Sequence, residues 1–119
     1  MAGSCSSPGC KLSVPSQLES ERLCVLHFTL RVEQQCAEMR RETALGHAPH
    51  ARQVEIIRWI AEHGEMLARV ATCGLQMENE MKARILSTFL TLMNLRENVE
   101  RAAARAAPPA QAGAAPAKR

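Results

Sequence analysis

A chain of 119 residues holds one modest domain, and its 46% apolar residues are almost all aliphatic. The net charge of +3 is too small for a committed nucleic-acid-binding face. No run approaches the ~18 uninterrupted apolar residues of a membrane span.

Phe28, Trp59 and Phe89 are the only aromatics, and there is no Tyr. That argues for helices packed on Leu, Ile, Val, Ala and Met rather than for a sheet. The expected fold is mostly α, a three-helix bundle with an N-terminal zinc-stapled loop. The expected organisation is an irregular segment over 1–20, a three-helix domain over 21–105 and a disordered Pro/Ala tail over 106–119. The start, MAGSCSSPGCKLSVPS, lacks the apolar run of a secretory signal. Five cysteines without such a signal favour metal binding over a disulfide framework, and place the protein in a reducing cytosol.

Residues 1–20 are rich in Ser, Pro and Gly, and Pro8-Gly9 before Cys10 predicts a tight turn. Ser16 and Glu19 fit a capping box, with Ser20 a second possible N-cap, so the first helix is expected to begin between 17 and 22. It is expected to run to about Leu45. Val25, Phe28, Val32, Cys36 and Met39 form one stripe, and Leu23, Leu26, Leu30 and Ala37 form a second. Gly46 suits the helix end, and Pro49 prevents simple continuation.

The second helix is expected over 50–73. Val54, Ile57, Ala61, Gly64, Ala68 and Ala71 lie on one side, broadened by Ile56, Ile60, Leu67 and Val70. Gly64, in mid-helix on the apolar face, suggests a close helix crossing or a kink. Gly74 ends the helix.

The third helix is expected over 79–105. Met81, Ile85, Phe89, Leu92, Arg96 and Val99 follow one stripe, and Leu86, Leu90 and Met93 follow another. Arg96 breaks the first stripe, so the helix is expected to outrun the core there. The stretch AAPPAQAGAAPAKR has nothing to bury. Residues 1–45 carry five basic and five acidic residues, and 46–74 three of each. The charge excess therefore sits in 75–119, where Arg101, Arg105, Lys118 and Arg119 of the last stretch meet no acid.

Cys5, Cys10, Cys24 and His27 read as C-x4-C…C-x2-H, three thiols and one imidazole in two close pairs. This is the ligand set of a tetrahedral zinc site. Cys24 and His27, at i and i+3 of a helix start, share one face. Ser6 to Gly9 can fold the chain so that Cys5 and Cys10 point the same way. With all four places filled by protein, the zinc would be structural. CSSPGC followed by RLCVLH resembles the C-x4-C…R-[aromatic or aliphatic]-C-x2-H segment of small zinc-knuckle or treble-clef-like modules. The resemblance covers residues 5–27 and implies a metal, not an activity.

The remaining polar residues read more plainly. Cys36 and Cys73 are expected to be buried free thiols, with a redox pair as the alternative. His47 and His50 flank Pro49 with no third ligand in view. His63 beside Glu62 and Glu65 is expected on a solvated face, as is the run Glu38, Arg40, Arg41 and Glu42, unless that run meets a partner. No Gly-rich phosphate loop, nucleophile elbow or paired catalytic constellation is visible, so the chain is not expected to be an enzyme.

The expected function is that of an interaction or adaptor protein acting through protein contacts, with a protein partner or a homodimer. Leu86, Leu90 and Met93, with Leu23, Leu26 and Leu30, are the candidate self-association residues. A four-helix arrangement formed by dimerisation fits the same pattern. The alternative is a nucleic-acid-associated regulator using the basic C-terminal end, and a redox or metal-dependent enzyme is the third reading.

Overall fold

The computed structural model describes residues 3–74 and 76–106, so most of the expected Pro/Ala tail lies outside the described residues. A 3-10 helix, Ser16–Glu21, is followed by three α-helices: α1 Val25–Ala44, α2 His50–Thr72 and α3 Asn79–Ala106. The mostly α class is as the sequence predicts.

The start of the first helix is corrected. Ser16 and Glu19 form no capping box: the 3-10 helix has Pro15 at its N-cap, with no side-chain hydrogen bond there. Arg22 then takes a left-handed conformation (φ 56°), and its N–H bonds the carbonyls of Leu18 and Glu19. Those bonds close the short helix and turn the chain, and α1 starts afresh at Val25. Leu18 is fully buried, so this short helix is fastened to the core.

The end of α1 follows its sequence. Gly46 adopts φ 74°, a region that suits glycine. Its N–H bonds the Thr43 carbonyl at 3.1 Å, and the His47 N–H bonds the Glu42 carbonyl at 3.0 Å. This paired arrangement satisfies two of the last carbonyls of α1.

α3 packs along both other helices, while α1 and α2 meet little. α1 and α3 run parallel: Glu33 meets Arg84 and Thr88, and Cys36 reaches the Thr91 carbonyl. The core line of α3 is Ile85, Thr88, Leu92, Leu95 and Val99, at alternating steps of three and four. The core therefore continues past Arg96, contrary to the expected stripe, because Leu95 and Val99 carry the seam around that residue. In α2 the buried line is Ile56, Ile60, Gly64, Leu67 and Val70. Of the expected principal stripe, Gly64 is buried and Ile57 half-buried, whereas Val54, Ala61, Ala68 and Ala71 are exposed. Ile56, Ile60, Leu67 and Val70 fill the interior beside Gly64, leaving the three alanines on the rim.

Gly64 does mark a close crossing. A β-carbon there would lie 3.6 Å from Phe89 and 3.9 Å from Leu92, within ordinary contact. α1 and α2 meet partly through a ring stack. His63 lies 4.5 Å from Trp59 and 6.1 Å from Phe28, centroid to centroid. The expected solvated face at His63 is thus corrected: the imidazole is half-buried between two aromatic rings, and its Nδ1–H donates to the Trp59 carbonyl at 2.9 Å.

Candidate metal centre

The N-terminal loop is built by its own backbone. Cys5 N–H donates to Leu12 at 2.9 Å and Val14 N–H to Gly3 at 3.0 Å, with an antiparallel bridge between Ser4 and Ser13. At the tip, Cys10 N–H donates to the Ser7 carbonyl at 3.0 Å, with Pro8 and Gly9 as the central residues. Gly9 has φ 79°, which a type II turn demands at that position. This is the turn predicted from Pro8-Gly9, and it returns Cys10 to the side of Cys5.

The second pair comes from the start of α1. Cys24 is the N-cap, and its sulfur accepts the His27 N–H at 3.5 Å. His27 sits in the first helical turn, one turn above it. Loop and helix are joined by Ser6 N–H to the Arg22 carbonyl at 2.8 Å. The left-handed turn at Arg22 thus both restarts the helix and anchors the loop.

All four predicted residues converge. Their ligand atoms lie within 4.8 Å of one another. Cys5 Sγ is 3.4 Å and Cys24 Sγ 3.3 Å from His27 Nδ1, and Cys10 Sγ is 3.9 Å from Cys24 Sγ. Cys5 and Cys24 are buried, while Cys10 and His27 are half-buried. Three sulfurs and one nitrogen at these separations form a Cys3His group within metal-binding distance. An ion held by all four has no open position for water or substrate.

The electrostatics of the cluster are uneven. Burial opposes ionisation of the Cys5 thiol, but the backbone amides of Cys24 and Ser7 and the thiols of Cys10 and Cys24 outweigh it, lowering its pKa to about 6. Burial pushes the Cys24 thiol up, aided by its two cysteine neighbours and opposed by the His27 amide. A cluster with one thiol already disposed to ionise is suited to accept a cation.

The other candidates do not assemble. His47 and His50 are exposed. Among the described residues, no further group of three or more His, Cys, Asp or Glu side chains converges. Cys36 is fully buried, as expected, whereas Cys73 is exposed, because it caps the end of α2 beyond the last core residue, Val70. What the sequence did not announce is the polar framing of the bundle. Arg31 of α1 ion-pairs with Glu21 of the 3-10 helix, and Arg52 of α2 holds Glu42 of α1 at 2.7 Å. These partners are ten residues apart with a turn between them, and no periodic pattern marks such a pair.

No family model matches this chain, nor does any curated protein or solved structure. No helix among the described residues is long and apolar enough to cross a membrane.

Proposed function

We propose that this chain is a zinc-stapled helical interaction module that pairs with a second copy of itself. The metal reading rests on geometry and donor type. Bonds of about 2.3 Å to sulfur and about 2.0 Å to nitrogen set tetrahedral edges of roughly 3.5–3.8 Å. Three of the six separations, at 3.3–3.9 Å, lie close to those edges, and all six are within 4.8 Å. Three thiolates and an imidazole favour zinc over hard cations. The ion is structural and fastens the N-terminal loop to α1. Reduced thiols suit a reducing compartment such as the cytoplasm.

The self-association reading is carried by one observation. Leu86 and Leu90 are 60% and 56% exposed on α3. With half-buried Met93 they form a stripe ended by Lys82 and Glu97. Lys82 stands four residues before Leu86, and Glu97 four residues after Met93. Antiparallel pairing of two α3 helices about a twofold axis therefore sets Leu86 against the second copy's Met93, and Lys82 against the second copy's Glu97. The surface is complementary to itself, as a twofold interface requires. Leu23, Leu26 and Leu30 are buried or half-buried and are not used. Nothing in this reading calls for catalysis: the zinc is closed and the interface is a binding surface.

Sedimentation velocity on the zinc-loaded full chain tests the pairing. Wild type sediments as a dimer, and Leu86→Glu/Leu90→Glu as a monomer of unchanged helical content. Lys82→Glu weakens the dimer, and adding Glu97→Lys restores it. A monomeric wild type at ~100 μM rejects the pairing without touching the zinc reading. Elemental analysis tests the latter separately: one zinc per chain in wild type, none in Cys24→Ser/His27→Ala.

A further inference from the structure

The parallel course of α1 and α3 brings their C-terminal ends together. There, Arg40 and Arg41 of α1 face Arg101 and Arg105 of α3 across an open cleft of about 530 Å³. Asn98 and Ala44 also line it. All four arginines are exposed.

Their charges are not used inside the protein. The ion pairs among the described residues engage Arg31, Arg52, Arg69, Arg84 and Arg96. None engages an arginine of the cleft, and no carboxylate lines it. The residues outside the described set contain no Asp or Glu either. Some positive charge is expected at helix C-termini, where each macrodipole supplies about half a negative charge. Two helix ends supply roughly one negative charge against four guanidinium groups. The guanidinium groups outnumber that, and none of them is held in an ion pair among the described residues. Guanidinium forks favour phosphate oxygens, which accept two parallel hydrogen bonds.

We propose that this cleft binds the phosphodiester backbone of a nucleic-acid strand. Arg101 and Arg105 stand one turn apart, about 6 Å along the axis, so each meets a separate phosphate of one strand. The cleft is open rather than closed around a small ligand. No aromatic lines the cleft, so the contact is to backbone rather than to stacked bases, and sequence preference is weak. The site is separate from the metal cluster, and Arg101 stands one turn beyond the Glu97 end of the α3 pairing stripe.

The test is fluorescence anisotropy of the zinc-loaded full chain with labelled 20-nucleotide single-stranded DNA, single-stranded RNA and duplex DNA. Four phosphate contacts to a single strand give a log–log salt slope of about −3, a loss of about fiftyfold in affinity between 50 and 200 mM salt. Arg40→Gln/Arg41→Gln/Arg101→Gln/Arg105→Gln flattens that slope and removes binding. The corresponding four-lysine variant retains it, and Arg58→Gln/Arg69→Gln, on α2, leaves it unchanged. In unsubstituted protein, the Asn98 side-chain amide resonances shift on titration with the oligonucleotide. No binding of any strand, equal loss in the α2 variant, or Asn98 resonances that stay in place each overturn the proposal. So does binding of tripolyphosphate or a poly-glutamate peptide with none of the oligonucleotides. The three nucleic acids differ only in which source of the backbone is preferred; tightest binding by any of them supports the cleft.

Discussion

Cys24 and His27 are bound to each other twice. The Cys24 sulfur accepts the His27 backbone N–H at 3.5 Å and lies 3.3 Å from the His27 ring Nδ1. One side chain therefore caps α1 and also points into the Cys3His cluster. Capping and ligation call for the same orientation, so the helix start pre-forms half of the site before an ion arrives.

This double role separates two variants. Serine at position 24 keeps an N-cap but is a poor zinc ligand, so Cys24→Ser is expected to lose the ion and the stability it brings. Structural zinc contributes on the order of 10 kcal/mol in small modules. Thermal unfolding with and without EDTA checks this. Chelator lowers the Tm of wild type strongly and leaves Cys24→Ser nearly unchanged. Cys24→Ala falls below Cys24→Ser by about 1 kcal/mol, the worth of the cap.

Thiol accessibility gives a second test. Cys36 is 0% exposed and burial pushes its thiol up, opposed by the charge of Arg40, whereas Cys73 is exposed. The zinc-loaded native chain is expected to release one equivalent of chromophore with a disulfide reagent, from Cys73 alone. Cys73→Ser reduces that to zero, and denaturant with chelator exposes all remaining thiols. A second fast equivalent in the native chain would show that Cys36 is reachable.

Gly64 offers a gain. A methyl group there meets Phe89 and Leu92 at contact distance rather than in collision. Gly64→Ala is expected to raise stability by about 1 kcal/mol, through helix propensity and lower unfolded-state entropy. Urea denaturation measures it directly, and a lower midpoint would mean that the crossing is tighter than 3.6 Å implies.

The pair of Glu33 and Arg84 gives a pH dependence. Arg84 donates from Nε and Nη2 at 3.0 and 2.9 Å and holds the Glu33 carboxyl below its ordinary value. Burial opposes this, and the Thr88 hydroxyl, donating at 2.9 Å, assists. The folded pKa is the lower one, so the contribution is fully present above the ordinary carboxylate value of 4.5 and is lost as pH falls below it. The pair is partly exposed, so its worth is under about 1 kcal/mol. Glu33→Gln is expected to be less stable than wild type at pH 7, with the gap narrowing as pH falls below 4.5. A gap that does not narrow would place the interaction elsewhere.

Much of this was legible in the sequence, for local reasons. Helix periodicity, Gly46 and the Pro8-Gly9 turn act over a few residues, and each is found where its pattern lies. The convergence of Cys5, Cys10, Cys24 and His27 was legible because metal chemistry restricts both residue types and spacing. The start of α1 was not: Ser16 and Glu19 satisfy the local rule for a helix cap, yet burial of Leu18 and the left-handed turn at Arg22 prevail. The seam of α3 departs from its sequence pattern for a similar reason. Periodicity through Arg96 and through Leu95 is equally helical, and only the presence of α1 and α2 on either side decides which stripe is inside.

The sequence by itself therefore determined the helices, their approximate ends and the donor set, because those follow from propensity and coordination chemistry. The tertiary structure decided which face of each helix is buried, that His63 sits between two rings, and that four arginines from segments some sixty residues apart share one cleft. Those depend on the parallel placement of α1 and α3. No local pattern encodes that placement; it is fixed by the joint burial of all three apolar faces.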